Sequence, residues 1–130
     1  MELIAILVGS ALGGSARFAL SNAVTRRYGE RFPWGILAVN LSGALVIGIL
    51  AGTLLVQAGE VSGEWGWHLL VVGFLGSYTT VSSFSLQTLA LLHDRKWRAA
   101  GLNIALSLGL CIGLAALGFL LGGQLAGRPA

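Results

Sequence analysis

The sequence predicts an all-α integral membrane protein of four transmembrane helices, and three observations predict it. Of 130 residues, 55% are hydrophobic and only 10% are charged, against roughly 25% charged in soluble domains. The mean hydropathy is +0.83. Four stretches carry no Asp, Glu, Lys or Arg apart from Arg17: Leu3 to Thr25, Phe32 to Gly59, Trp65 to Leu92 and Ala99 to Gly127. Each exceeds the roughly 20 residues a helix needs to cross the hydrocarbon core. The chain is therefore read as a single membrane domain, residues 1–130, with spans at approximately 3–25, 33–57, 67–92 and 97–124.

The first span is apolar enough to resemble a signal peptide. Glu2 stands where a positively charged leader would begin, and spans continue along the chain, so the segment is expected to be permanent. The connection Thr25 to Pro33 (TRRYGERFP) ends in a proline suited to a helix entry. The second connection, about Ala58 to Gly66, is flanked by Trp65 and Trp67, residue types that favour the membrane interface. The third, His93 to Trp97 (HDRKW), is very tight. An even number of spans puts both termini on one side. No linker, repeat or low-complexity segment points to a second domain.

Composition also narrows function. The pI of 9.8 could suggest nucleic acid, but the basic residues sit in short connections rather than on a soluble face, which makes them topology signals and excludes a nucleic-acid partner. The single cysteine, Cys111, lies inside an apolar run and reads as a small hydrophobe. Twenty glycines, recurring as Gly9 to Gly13, Gly48 to Gly52, Gly109 to Gly113 and Gly118 to Gly122, give small-xxx-small spacings that let helices approach closely, within the subunit or between subunits.

Polar residues at membrane depth are costly, so the few present are functional candidates. Arg17, ending GGSAR, lies roughly 20 Å along the first helix from Leu3 at 1.5 Å per residue, near the far interface. It reads as a snorkelling arginine, an anion-attracting vestibule or a tie to a neighbouring helix. Asn40 in WGILAVNLSG is about two turns into the second span, where its amide suits a small ion or a helix–helix hydrogen bond. The third span carries the strongest signal, because Ser77 to Ser85 (SYTTVSSFS) holds seven hydroxyl side chains in nine residues directly after Gly76. Glycine beside β-branched Thr79 and Thr80 predicts a helix broken at mid-membrane, lining protein or an aqueous path. Free carbonyls at such a break suit an alkali cation and hydroxyl donors suit an anion; an ordinary helix packed through its serines is the alternative.

No Asp or Glu lies within a span: Glu2, Glu30, Glu60, Glu64 and Asp94 are all terminal or in connections. Proton-coupled export normally needs a buried titratable carboxylate, so passive conduction gains ground. His68 and His93 lie at span ends with no nucleophile and carboxylate around them, which argues against an enzyme.

GGSAR (13–17), FPWGILAVNLSGALVIG (32–48) and GFLGSYTTVSSFS (73–85), together with the four short spans, resemble the Fluc/CrcB fluoride channel family over nearly the whole chain. The resemblance implies an antiparallel, dual-topology dimer with two narrow fluoride pores and a structural sodium ion at its centre. It implies that Gly76 and Thr79 give the sodium backbone carbonyls, that Asn40 faces the pore, and that Phe84 is one of two aromatics whose ring edges line the path. Thr80 and Ser83 would lie nearby. An aromatic edge carries partial positive charge and can face an anion. The chain departs from the family pattern at Ser77 (usually glycine), Val81 (phenylalanine), Gln87 (glutamate), Cys111 (serine) and Ala115 (threonine), and all but the first remove a polar or aromatic feature of the anion route.

The expected function is a fluoride-selective passive channel that lowers cytoplasmic fluoride, multi-pass in the cell (inner) membrane among lipid. The alternatives are a small four-helix drug or cation exporter and a non-conducting assembly subunit of a heterodimeric channel. Arg26, Arg27, Arg31, Arg95, Lys96 and Arg98 crowd the first and third connections, while the other side carries Arg128 with Glu2, Glu60 and Glu64. The positive-inside rule then predicts one dominant orientation and an antiparallel dimer with a paralogue of opposite bias, a homodimer being the alternative.

Overall fold

The computed structural model describes residues 1–56 and 64–127. Its elements are helical throughout: α1 (Glu2–Tyr28), α2 (Trp34–Val56), a short α3 (Glu64–Trp67) running into a π-helical stretch (His68–Leu75), the single turn α4 (Gly76–Tyr78), α5 (Val81–His93) and α6 (Trp97–Leu125). Among the described residues four segments are long and apolar enough to span a membrane: Glu2–Tyr28, Trp34–Thr53, Trp65–His93 and Trp97–Leu125. The predicted all-helical, four-span class is therefore what the protein adopts. Most of the second connection, Glu60 included, and Arg128 lie outside the described residues.

The element ends follow from local chemistry. Gly29 takes φ 85 just after α1, a left-handed backbone that glycine adopts without a Cβ penalty; its N–H donates to the Thr25 carbonyl at 2.8 Å. Pro33 precedes α2, and its carbonyl accepts from Leu37 N–H at 3.1 Å. Only Asp94 to Lys96 join α5 to α6, and the turn is closed by Lys96 N–H donating to Leu91 O at 2.8 Å and Arg95 N–H to Leu92 O at 3.0 Å. Arg95 sits at φ 59, a conformation that costs a non-glycine residue of order 1 kcal/mol.

Glycines set the packing. A Cβ on Gly48 or Gly52 of α2 would run into the backbone of Ala115 or Phe119 on α6, and one on Gly118 or Gly122 of α6 would run into Leu45 or Ile49 on α2. The two helices thus lie backbone to backbone over two turns each. Gly9 and Gly13 of α1 are filled in the same way by the π-helical stretch, at Leu69 and Phe74. Gly109 and Gly113 differ, since a Cβ on either meets nothing within 4 Å. Three of the four small-residue spacings therefore act inside the subunit, and the fourth faces outward.

The core this produces is thin and made largely of small or branched aliphatics such as Ala5, Val39 and Ala100. Large apolar side chains point outward instead, Phe18 at 70% and Ile112 at 68% exposure among them. That inversion suits a lipid solvent, in which outward leucine and phenylalanine carry no penalty.

Candidate functional site

The third hydrophobic segment is not one helix. Thr79 (φ −75, ψ 155) and Thr80 (φ −153, ψ 121) are both extended, between α4 and α5. β-Branched residues favour this backbone, but unwinding leaves polar groups that must be satisfied inside a membrane protein. Asn40 of α2 satisfies those of Thr80: its Oδ1 accepts from Thr80 N–H at 2.9 Å and its Nδ2 donates to Thr80 O at 3.0 Å. A backbone N–H only donates and a carbonyl only accepts, so this pair fixes which way the amide points.

Thr80 also starts the next helix. Its Oγ1 accepts from Ser83 N–H at 3.2 Å, capping α5, and lies 3.1 Å from Ser82 Oγ and 3.2 Å from Ser83 Oγ. Thr79 ties backward, its Oγ1 donating to Leu75 O at 3.0 Å. On the α2 side Ser42 Oγ and Tyr78 OH are 2.8 Å apart, Tyr78 stacks on Phe74 with centroids 5.7 Å apart, and Gly43 leaves the room that the Thr79 methyl occupies.

These bonds have a consequence for the carbonyls. In an α-helix the carbonyl of residue i takes the N–H of residue i+4. The N–H of Thr80 goes to Asn40, which strips Gly76 O of its helical donor. The N–H of Ser83 goes to the Thr80 hydroxyl, which does the same to Thr79 O. Gly76 itself is helical (φ −61, ψ −33) and exposed. The unwinding thus belongs to the two threonines, and the glycine supplies an open backbone.

A cavity of about 650 Å³ is lined by Asn40, Gly76, Thr79, Thr80, Val81 and Phe84, and by Ser107 and Cys111 of α6. Val81 is 77% exposed. Arg17 and Ser83 lie instead on a neighbouring cavity of about 390 Å³, with Ser21 and Asn22 of α1. The Thr80–Ser83 hydroxyl contact joins the two, since Thr80 faces the first cavity and Ser83 the second. Arg17 is half-buried and meets no carboxylate among the described residues. A third cavity, about 380 Å³, shares Ser21 and Asn22 and opens between the first and third connections at Arg31 and Lys96; Gln87 also lines it. The Gln87 Oε1 is buried and has no partner among the described residues.

Every sequence-predicted site residue lies on one of two adjoining cavities. Sequence reasoning missed Ser21, Asn22 and Ser42, and above all Asn103, which is 2% exposed and donates from Nδ2 to Thr88 Oγ1 at 2.9 Å. Asn103 was visible by the test that selects Asn40, an amide deep in an apolar run. Among the described residues no group of three or more His, Cys, Asp and Glu could hold a metal.

A family model described as "CrcB-like protein, Camphor Resistance (CrcB)" matches residues 4–119. The chain is 50% identical over 126 residues to "Fluoride-specific ion channel FluC 2" of Bradyrhizobium diazoefficiens, covering 96% of this chain and 91% of that protein. It is 50% identical over 117 residues to "Fluoride-specific ion channel FluC 2" of Rhodopseudomonas palustris, covering 90% and 89%. It is 49% identical over 107 residues to "Fluoride-specific ion channel FluC" of Opitutus terrae, covering 82% and 81%.

Proposed function

The chain belongs to the CrcB-like protein family, and from that premise we propose that it is a fluoride-selective, passive channel of the cell (inner) membrane that lowers cytoplasmic fluoride. The observation that carries this reading is the convergence of Asn40, Thr80 and Phe84 on one cavity in a chain of four apolar spans. A desolvated anion loses its hydration and must be repaid in donors. Asn40 Nδ2 has two hydrogens and spends one on Thr80 O, so the other is available to the cavity. The Thr80 and Ser83 hydroxyls can rotate to donate, and the Phe84 edge offers positive potential. Arg17, which meets no carboxylate among the described residues, concentrates anions at the neighbouring cavity. No enzymatic step is involved.

The finer parts of the reading are a mid-membrane break at Thr79 and Thr80, an antiparallel dimer, and a structural sodium ion at its centre. The carbonyls of Gly76 and Thr79 fit that ion, because both lack a helical donor and both belong to the cavity wall. A symmetric partner would double the oxygen count, giving an all-oxygen site of the kind hard cations prefer. A sodium ion held there would supply charge between two unwound segments, and Asn40 and the Thr80 hydroxyl are what keep the Gly76 and Thr79 carbonyls open to it.

Val81 and Cys111 on the cavity wall favour a second reading, an assembly subunit whose partner completes the path. An exporter lacks the carboxylate it would need within a span. The deciding experiment is fluoride efflux from liposomes holding the purified protein, triggered by a potassium ionophore and followed with a fluoride electrode. Rapid efflux without a proton gradient, with chloride retained, is expected. Efflux no faster than from protein-free liposomes removes conduction by this chain alone, and a requirement for a proton gradient transfers it to the exporters.

A further inference from the structure

We propose that Asn103 and Thr88 are positioning residues for Phe84, setting the width of the anion path between α5 and α6; the proposal rests on the channel reading above. Two bonds carry it. Asn103 Nδ2 donates to Thr88 Oγ1 at 2.9 Å, and the Thr88 hydroxyl passes its own hydrogen to the Phe84 carbonyl at 2.8 Å. Both side chains are sealed, Asn103 at 2% and Thr88 at 7% exposure, while most of α6 faces outward.

The placement gives the buried amide a role. α5 begins at an unwound pair, so the helix before it does not fix where it lies. Its N-terminal end is held by the Thr80 cap and by Asn40 of α2. Laterally, the buried bond to Asn103 ties it to α6 one turn beyond Phe84. Asn103, Ser107 and Cys111 recur every four residues and share one face of α6, and the last two line the cavity that Phe84 also lines. The Asn103 bond therefore sets the distance between the Phe84 ring and that face. A buried Asn left without Thr88 would be an unsatisfied polar group, so the pair has one low-energy arrangement.

The test uses the full-length protein in liposomes, comparing Asn103→Leu, Thr88→Val, Thr88→Ser and the Asn103→Leu/Thr88→Val double variant. One net hydrogen bond corresponds to about a two- to tenfold effect, and each of the first two variants is expected to slow fluoride efflux by that factor and to narrow the fluoride-over-chloride ratio. The double variant should be no slower than the worse single one, because both interrupt one chain of bonds. Thr88→Ser keeps the hydroxyl and should retain wild-type rate and selectivity. Wild-type rate and selectivity in Asn103→Leu and Thr88→Val overturn the proposal and leave the channel reading standing. A rate that falls only with the yield of assembled protein, at unchanged selectivity, also overturns it, since that is a purely structural role. Should Thr88→Val fail to assemble, Asn103→Leu decides, because it leaves the Thr88–Phe84 bond intact. A wild-type protein that conducts no fluoride takes down both.

Discussion

Asn40 and Thr80, 40 positions apart in sequence, exchange two hydrogen bonds of 2.9 and 3.0 Å, so that one side-chain amide replaces both backbone partners that an unwound residue gives up. By sequence alone the same amide suits either a small ion or a tie between helices. Its geometry makes it a tie with one hydrogen to spare. A residue that holds the backbone open and faces the cavity couples the shape of the site to its chemistry.

Asn40→Asp tests both roles together. The carboxylate would still accept from Thr80 N–H, but its second oxygen would face the Thr80 carbonyl, setting acceptor against acceptor. Leaving that carbonyl unpaired costs about 1–3 kcal/mol, and charge at the site adds repulsion toward an anion. Fluoride efflux is expected to fall by at least about tenfold. Wild-type efflux in Asn40→Asp liposomes would show that neither role matters to conduction.

Sodium dependence follows from the two stripped carbonyls. Thr79→Ser keeps the Oγ1 bond to Leu75 O and should be mild. Gly76→Leu should be severe for assembly, because its side chain would occupy the face that the open backbone presents, although a Cβ there meets only Val71 O at 3.7 Å within the subunit. Gly76→Ala adds that Cβ alone and should leave the single subunit intact. Replacing sodium by a large organic cation should weaken dimers of the wild type. Chemical cross-linking in detergent reads both effects, and indifference of the dimer to sodium and to Gly76→Leu rules out the cation site.

The architecture was legible because lipid imposes a coarse code: four runs without charge and short basic connections determine the class, and glycine spacing determines which faces touch. The site was legible only in outline. Seven hydroxyls in nine residues mark the unwound region, but composition does not tell which backbone groups are diverted. That depends on Asn40 reaching across from another helix. Asn103 escaped for a related reason, since a lone amide gains meaning only once Thr88 is opposite it. The subunit-to-subunit features leave no trace in one chain's periodicity.

The glycine contacts predict a contrast in stability. Gly48→Leu and Gly118→Val place side chains where the backbone of the facing helix already lies, and forced overpacking costs about 1–3 kcal/mol. Thermal unfolding in detergent should show a clear drop in Tm for both. Gly109→Ala enters open space and should leave the Tm of the isolated subunit unchanged. Equal losses at Gly48 and Gly109 would mean that α2 and α6 are not packed backbone to backbone.

Charge placement predicts orientation. The first and third connections lie at one end of the bundle, where Arg31 and Lys96 line the same cavity. Arg26 and Arg27 close α1 in the same region, and Arg95 and Arg98 flank Lys96. That end therefore carries six basic residues, against Glu30 and Asp94, while by sequence order Glu60 and Glu64 belong to the second connection, Glu2 to the N-terminus and Arg128 to the C-terminus. Positive charge in short connections holds them in the cytoplasm, so this chain is expected to insert mainly with both termini outside. An antiparallel homodimer needs both orientations in similar numbers, which a strongly biased chain does not supply. The physiological dimer is therefore predicted to pair this chain with a paralogue of opposite bias, whose residues complete a path that Val81, Cys111 and Ala115 leave poor in polar and aromatic groups. Detergent removes the constraint, and homodimers can form there. A tag at the C-terminus, probed from outside intact cells expressing the chain alone, should be accessible in the great majority of molecules. A near-equal split between accessible and protected tags, with fluoride resistance conferred by this chain alone, would establish a dual-topology homodimer and defeat the charge argument.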